Sequence, residues 1–245
     1  MAMPGISFIT PDWPAAPNVK ALMTTRSGGV SVGPYASLNV GTKVGDDAAS
    51  VARNRLILRE HLPQFPWWLV QEHGATVVAA HDLTDVPVAD AAWTDRPGVV
   101  CAVLVADCLP VLLCDRAGTV VGIAHAGWRG LAGGVIERTV ETMRRPGREL
   151  IAWLGPAIGP ETFEVGQDVY DAFVQRDAAA SAAFRHRPGG KYLADLYALA
   201  RQRLCAAGVM AAYGGGFCTA TEIERFYSFR RDKVTGRMAA LVWME

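Results

Sequence analysis

The sequence predicts a single α/β domain, of the α+β kind, built on a mixed sheet. Two observations predict it. Short apolar, β-branched runs recur along the chain, and helical periodicities fall between them in irregular order, which does not suit a doubly wound parallel sheet. The 245 residues are 51% hydrophobic, enough for one sizeable core, and contain no internal repeat or long linker, so 1–245 reads as one domain.

Each element has a local reason. Residues 21–25 read as a strand emptying into the turn Ser27-Gly28-Gly29. Asp46 and Asp47 can cap a helix running to about Leu62, with Val51, Leu58 and Leu62 on its buried side. Residues 68–71 resemble a short strand ending near His73. Residues 99–105 and 111–113 are strands, and Pro110, which cannot donate to a ladder, predicts a break or an edge between them. Residues 119–124 form another strand, followed by a glycine-bearing loop and a helix over 131–144 with Val135, Ile136, Val140 and Met143 on one side. A strand over 150–154 precedes a Gly/Pro loop. Helices follow over 167–176 and 193–207, with a turn at Pro188-Gly189-Gly190; 178–183 fits either helix or surface loop. Residues 226–229 and 238–243 read as a closing hairpin.

Composition excludes several classes. Acidic and basic residues balance at 24 each, so no net field recruits nucleic acid or an anionic membrane. No apolar run reaches the roughly 18 residues that span a bilayer. The Met-Ala-Met-Pro-Gly start shows no basic-then-apolar leader. Five scattered cysteines without a C-x-x-C pair predict reduced thiols and a cytoplasmic setting. No protein partner is expected.

Three residues stand out: His73 in QEHG, Cys108 in ADCLPVLL and His125 in IAHAGWRG. Cys108 and His125 sit where an apolar run meets a turn, and two imidazoles with one thiolate leave a fourth metal position for water or substrate. Spacing alone does not bring them together: a thiol in an apolar run is usually inert and a histidine at a strand end usually structural. Arg26 and Arg129 are candidates to hold phosphate or ribose, and Asn39 either binds substrate or closes a turn. The glycines before the helix in HAGWRG could offer amides to an anion, and Trp128 could stack on a base or pack in the core. Asp107 is a candidate proton shuttle or an orienter of its neighbour. The basic tail, Arg225, Arg230, Arg231, Lys233 and Arg237, reads mostly as a solvated hairpin.

Taken together, TTRSGGVS, QEHG, ADCLPVLL, IAHAGWRG, LGPAIGP and SFRRD resemble the YfiH-like family, whose members have been called laccase-like multicopper polyphenol oxidases and purine nucleoside phosphorylases. The resemblance runs from about Ala21 to Trp243. It implies a mixed-sheet sandwich like the catalytic domain of cytotoxic necrotizing factor, a cysteine hydrolase fold. It places zinc ligands on His73, Cys108 and His125, which are then also the catalytic residues. It implies phosphorolysis of adenosine, inosine and methylthioadenosine, deamination of adenosine, and a role in editing peptidoglycan precursors. Relatives often carry Cys where Thr162 stands, so a mechanism needing that thiol would not operate here. Three alternatives stay open: a metal-free cysteine hydrolase or deamidase with Cys108 as nucleophile and His125 as base, a phenol oxidase using copper at the same ligands, and a non-catalytic metal or nucleoside binder. A multicopper enzyme needs further imidazoles, and five histidines are too few for both of its sites.

Overall fold

The structure is a computed structural model and describes residues 5–245. In chain order the elements are β1 (Phe8–Ile9), β2 (Val19–Thr24), α1 (Ala48–Arg59), β3 (Val77–Ala79), β4 (Ala91–Thr94), β5 (Cys101–Val105), β6 (Leu109–Asp115) and β7 (Val121–Ala126). There follow α2 (Trp128–Gly133), α3 (Val135–Thr142), β8 (Leu150–Leu154), β9 (Glu164–Val165), α4 (Gln167–Val174), β10 (Phe184–Arg187) and β11 (Lys191–Ala194). The chain ends with α5 (Leu196–Ala206), β12 (Ala211–Gly214), α6 (Phe229–Asp232) and β13 (Met238–Met244).

The strands form two main sheets. One is antiparallel, ordered β1-β2-β13-β5; the other is mixed, ordered β12-β8-β6-β7-β4-β3, with parallel pairs at both of its edges. A small sheet, β10-β11-β9, lies apart. Strand periodicity explains the layering. Along β6, Leu112 and Cys114 join Val103, Met238 and Trp153 in the core between the sheets. The alternate residues Val111 and Leu113 join Leu131, Ile136, Phe173 and Leu204 on the helical side. The outer face of the four-stranded sheet, with Leu22, Ala102 and Leu241, is covered by Leu58 at the end of α1 and Leu62 just beyond it. The result is a helix–sheet–sheet–helix sandwich. Strands buried on both faces lose the apolar–polar alternation, which is why β6 reads as one continuous apolar run. Each fully buried aliphatic side chain of this kind contributes about 1.5–3 kcal/mol.

Several expectations needed correction. Residues 68–71 make only isolated bridges, Trp67 with Cys101 and Val70 with Val88, and no strand. Pro110 breaks nothing and marks no edge. It is the second residue of β6, an interior strand, paired with His125, and its carbonyl accepts from Gly155 N at 2.9 Å. The chain reverses just before it, at 106–108. The helix expected over 131–144 starts earlier and splits at Gly134, whose φ of 91° no helix tolerates. The closing hairpin does not form. Residues 226–228 lead into α6, and β13 inserts instead between β2 and β5. Residues 178–183 form a 3₁₀ helix. The cap on α1 is as expected: Asp47 accepts from Ser50 N at 2.8 Å. Among the described residues no helix is long and apolar enough to cross a membrane.

Candidate metal centre

β6 and β7 run antiparallel, so the start of one and the end of the other lie together at one end of the six-stranded sheet. Cys108 immediately precedes β6. His125 lies near the end of β7, on the side of the strand that carries Val121 and Ile123 into the core between the sheets. His73 arrives on the loop before β3, in a left-handed backbone conformation at φ 62° that costs a non-glycine residue about 1–2 kcal/mol. Gln71 ties this loop to β5, donating to the Leu104 carbonyl at 2.9 Å and accepting from its N–H at 2.7 Å.

The structure brings the three predicted residues together. His73 Nε2 lies 3.7 Å from Cys108 Sγ, the imidazole centroids of His73 and His125 are 4.9 Å apart, and one donor atom from each residue lies within 4.8 Å of the others. Tetrahedral zinc bonds of about 2.1 Å to nitrogen and 2.3 Å to sulfur separate such ligand atoms by roughly 3.6 Å. The His73–Cys108 pair already has that spacing, so the donor set fits a single cation. His125 is buried, Cys108 half-buried and His73 exposed, so the group is open to solvent on one side.

Asp90, which the sequence reading missed, anchors this end. Its side chain is 2% exposed. Oδ1 accepts from His125 Nδ1 at 2.8 Å and His73 N at 2.9 Å, and Oδ2 accepts from Gly74 N at 2.7 Å and Glu72 N at 3.2 Å. With Nδ1 donating to Asp90, His125 presents Nε2 to a metal. Burial alone would raise the Asp90 carboxyl, but the hydrogen bonds from His125 and Gly74 outweigh it and hold the group below its ordinary range. Burial likewise pushes the Cys108 thiol up, and the neighbouring His125 and His73 outweigh that and bring it down to about 6. For His125, burial favours the neutral ring, but Cys108 and Asp90 win and raise it. No sequence pattern marked Asp90: an acid among Ala89, Ala91 and Ala92 reads as a surface residue until its burial is seen.

Two glycines of HAGWRG are explained by close approach. A Cβ on Gly127 would sit 3.0 Å from both Cys108 Sγ and His73 Cδ2, and one on Gly130 would meet the Gly74 carbonyl at 2.6 Å. The other candidates separate. Arg129 is exposed, its guanidinium 4.5 Å from the centre of the half-buried Trp128 ring. Arg26 braces loops, donating to the carbonyls of Ala36 and Ile223 at 3.0 Å each. Asn39 is fully buried and closes a turn. Its amide donates to Gly41 O and Asp46, and its oxygen accepts from Gly41 N and Arg237 N, which leaves no atom for substrate. Asp107, at φ 85°, shapes the turn before Cys108. Its oxygens are taken by Thr219 Oγ1 and Arg230 N, both at 2.6 Å, so it suits orientation better than proton transfer.

In the basic tail Arg225, Arg230 and Lys233 are exposed as expected, while Arg231 and Arg237 are half-buried. Arg231 donates to the carbonyls of Thr219, Ala220 and Phe226, and Arg237 to those of Thr235 and Gly236. Thr162 hydrogen-bonds Cys218 Sγ at 3.2 Å. Burial would raise the Cys218 thiol, but this contact and those from Thr221 and Gly159 N hold it below its usual value.

Comparison with known proteins shows the family to which the chain belongs. Residues 20–245 match the family described as multi-copper polyphenol oxidoreductase laccase. A purine nucleoside phosphorylase of Pseudomonas aeruginosa is 55% identical over 240 residues, covering 98% of this chain and 99% of that protein. The purine nucleoside phosphorylase YfiH of Escherichia coli is 53% identical over 243 residues, covering 97% and 98%. Among solved structures, a Neisseria meningitidis protein of the DUF152 family superposes with a TM-score of 0.95 at 54% identity, covering 97% of this chain and 99% of that one. YlmD from Geobacillus stearothermophilus superposes at 0.84 and 35%, covering 95% and 93%. With matches of this length and identity, the chain belongs to the laccase-like, YfiH family.

Proposed function

We propose that this protein is a zinc-dependent purine nucleoside phosphorylase that also deaminates adenosine, with His73, Cys108 and His125 as the metal-binding and catalytic residues. The observation that carries the reading is the convergence of two imidazoles and a thiolate at an open end of the sheet, one imidazole fixed by a buried carboxylate. The relatives' names, purine nucleoside phosphorylase at 53–55% identity over nearly their whole length, supply the reaction class. Zinc suits a mixed N/S set without redox chemistry, and when bound it supplies Lewis-acid polarisation at its fourth position. Copper is an alternative occupant, in line with the family's description.

In phosphorolysis a phosphate oxygen bonds C1′ of the ribose as the C1′–N9 bond breaks. The electron pair leaves with the purine, which takes up a proton, and ribose 1-phosphate is released. In deamination, water adds at C6 and ammonia departs. Arg129, exposed and four residues after His125 in the chain, is our candidate to hold phosphate, and Arg26 is a second. Adenosine, inosine and methylthioadenosine are the expected substrates. Five free cysteines suit a reducing compartment, which we take to be the cytoplasm. The test is product analysis on these nucleosides with and without phosphate, alongside metal content. The His125→Ala variant should lose zinc, phosphorolysis and inosine formation from adenosine together. Turnover retained by a metal-free variant would overturn the proposal.

A second reading has one observation in its favour. Asp90, His125 and Cys108 also form the carboxylate–imidazole–thiol series of a cysteine hydrolase, with the thiol already low. An amide, such as that of a peptidoglycan precursor, would be its substrate. Activity on amides that survives strong chelation and is blocked by thiol alkylation would select it.

A further inference from the structure

We infer that Asp90 is a positioning residue that sets both imidazoles of the centre at once, His125 through its ring and His73 through its backbone. The inference rests on the zinc reading of the site. One carboxylate, 2% exposed, takes four donors: His125 Nδ1, His73 N, Gly74 N and Glu72 N. Its own carbonyl also accepts from His125 N at 2.7 Å. The three backbone donors are consecutive and belong to the loop whose central residue, His73, has the strained positive φ. The left-handed turn that carries His73 to the centre is therefore held by the same group that fixes the His125 ring.

Lone pairs explain why a carboxylate is needed. Four N–H groups face two oxygens, each offering two acceptor directions, and a carboxylate satisfies them all. An amide of the same shape has one acceptor oxygen and turns an NH2 group toward the remaining donors. If that oxygen stays on the His125 side, Gly74 N and Glu72 N face an NH2, and the turn presenting His73 loses two hydrogen bonds. If the amide flips, His125 Nδ1 faces the NH2 and can only accept. Its proton then moves to Nε2, the nitrogen a metal needs. The first orientation disturbs the imidazole of His73; the flip disturbs that of His125 and also takes the acceptor from His73 N, and both leave Cys108 untouched. A carboxylate that served only the overall stability of the fold would change the unfolding midpoint and leave the metal site unchanged.

The experiment compares zinc affinity, by competition with a chromophoric chelator, in the wild type and Asp90→Asn, with thermal unfolding as the folding control. Asp90→Asn should bind zinc about 10- to 100-fold more weakly. Loaded with cobalt(II), it should keep the thiolate-to-metal charge-transfer band of Cys108 and lose the intense visible bands of a tetrahedral site. Asp90→Glu, which keeps the carboxylate one methylene longer, should fall between the two in affinity, and it serves alone if Asp90→Asn does not fold. Wild-type affinity with an unchanged cobalt spectrum in either folded variant would overturn the inference. If the wild type binds zinc but turns over no nucleoside, the proposed function fails and the Asp90 inference stands. A wild type that takes up neither zinc nor cobalt would sink both.

Discussion

Cys101 and Cys108 lie seven residues apart in one apolar stretch, yet the fold gives them opposite chemistry. Cys101 points into the core between the sheets with no exposed surface, and burial alone drives its thiol far above the ordinary range. Cys108 sits one residue before β6, where the sheet ends and two imidazoles stand beside it, and its thiol falls to about 6. The desolvation cost acts on both. What differs is the neighbourhood: the sandwich interior offers Cys101 no group that favours a thiolate, whereas the sheet end offers rings that do. The fold thus keeps its chemistry at the end of the sheet and leaves the interior inert.

Replacing the reactive thiol breaks this contrast most directly. Cys108→Ser removes the sulfur ligand but almost no volume, so the sheet end should keep its shape. On the proposed function, phosphorolysis of inosine should fall on the order of a thousandfold, the scale seen when a group stabilising transition-state charge is removed. Zinc content measured on the purified variant should fall in parallel. Turnover within a few-fold of wild type would show that the sheet end is no more reactive than the interior.

A steric change at the same end ranks second. Gly127→Ala would place a methyl group 3.0 Å from both Cys108 Sγ and His73 Cδ2, tighter than ordinary van der Waals contact. The ligands must move by a few tenths of an ångström to make room. Misplacement on that scale is expected to cost about 10- to 100-fold in kcat, with a smaller effect on the unfolding midpoint, because the core lies elsewhere. Steady-state kinetics beside a thermal melt checks this. Unchanged kcat would mean the ligand cluster is looser than its packing indicates.

The same division decides what the sequence made legible. β6, β7 and β8 are long and buried on both faces, so their apolar runs identified them. β3, β4 and β12 are three or four residues long, too short for periodicity to mark. Pro110 misled because backbone chemistry forbids one hydrogen bond, not a strand: near a strand's start, the lost donor costs the ladder little. At the site, the histidines and Cys108 were visible as residue types in turn contexts, and the resemblance grouped them. Asp90 was not, because its role is written in hydrogen bonds to the backbone of 72–74 and to a ring 35 residues away. Asn39 showed the converse: a polar residue in a turn whose partners all proved to be protein atoms.

The smallest effect expected is also the most specific probe of the two cysteines. In protein stripped of metal by chelation, iodoacetamide labelling should follow the thiolate of each residue. The Cys108 thiol lies near 6, so at pH 6 about half of it is thiolate, against under about 1% for an ordinary thiol near 8.5. Less basic sulfur is also less nucleophilic, which returns roughly a tenfold factor and leaves labelling about tenfold faster than for a free thiol. The sign follows from the lowered value: the rate is flat above about pH 7 and falls as the pH drops through 6. Cys101, buried and neutral, should stay unlabelled across that range. Cys205 and Cys218 are read separately by peptide mass spectrometry. Zinc should protect Cys108, since coordination occupies the sulfur lone pair that attacks. A labelling midpoint near 8.5, or labelling indifferent to zinc, would mean that the imidazoles do not act on Cys108 and that the sheet end differs from the interior only in exposure.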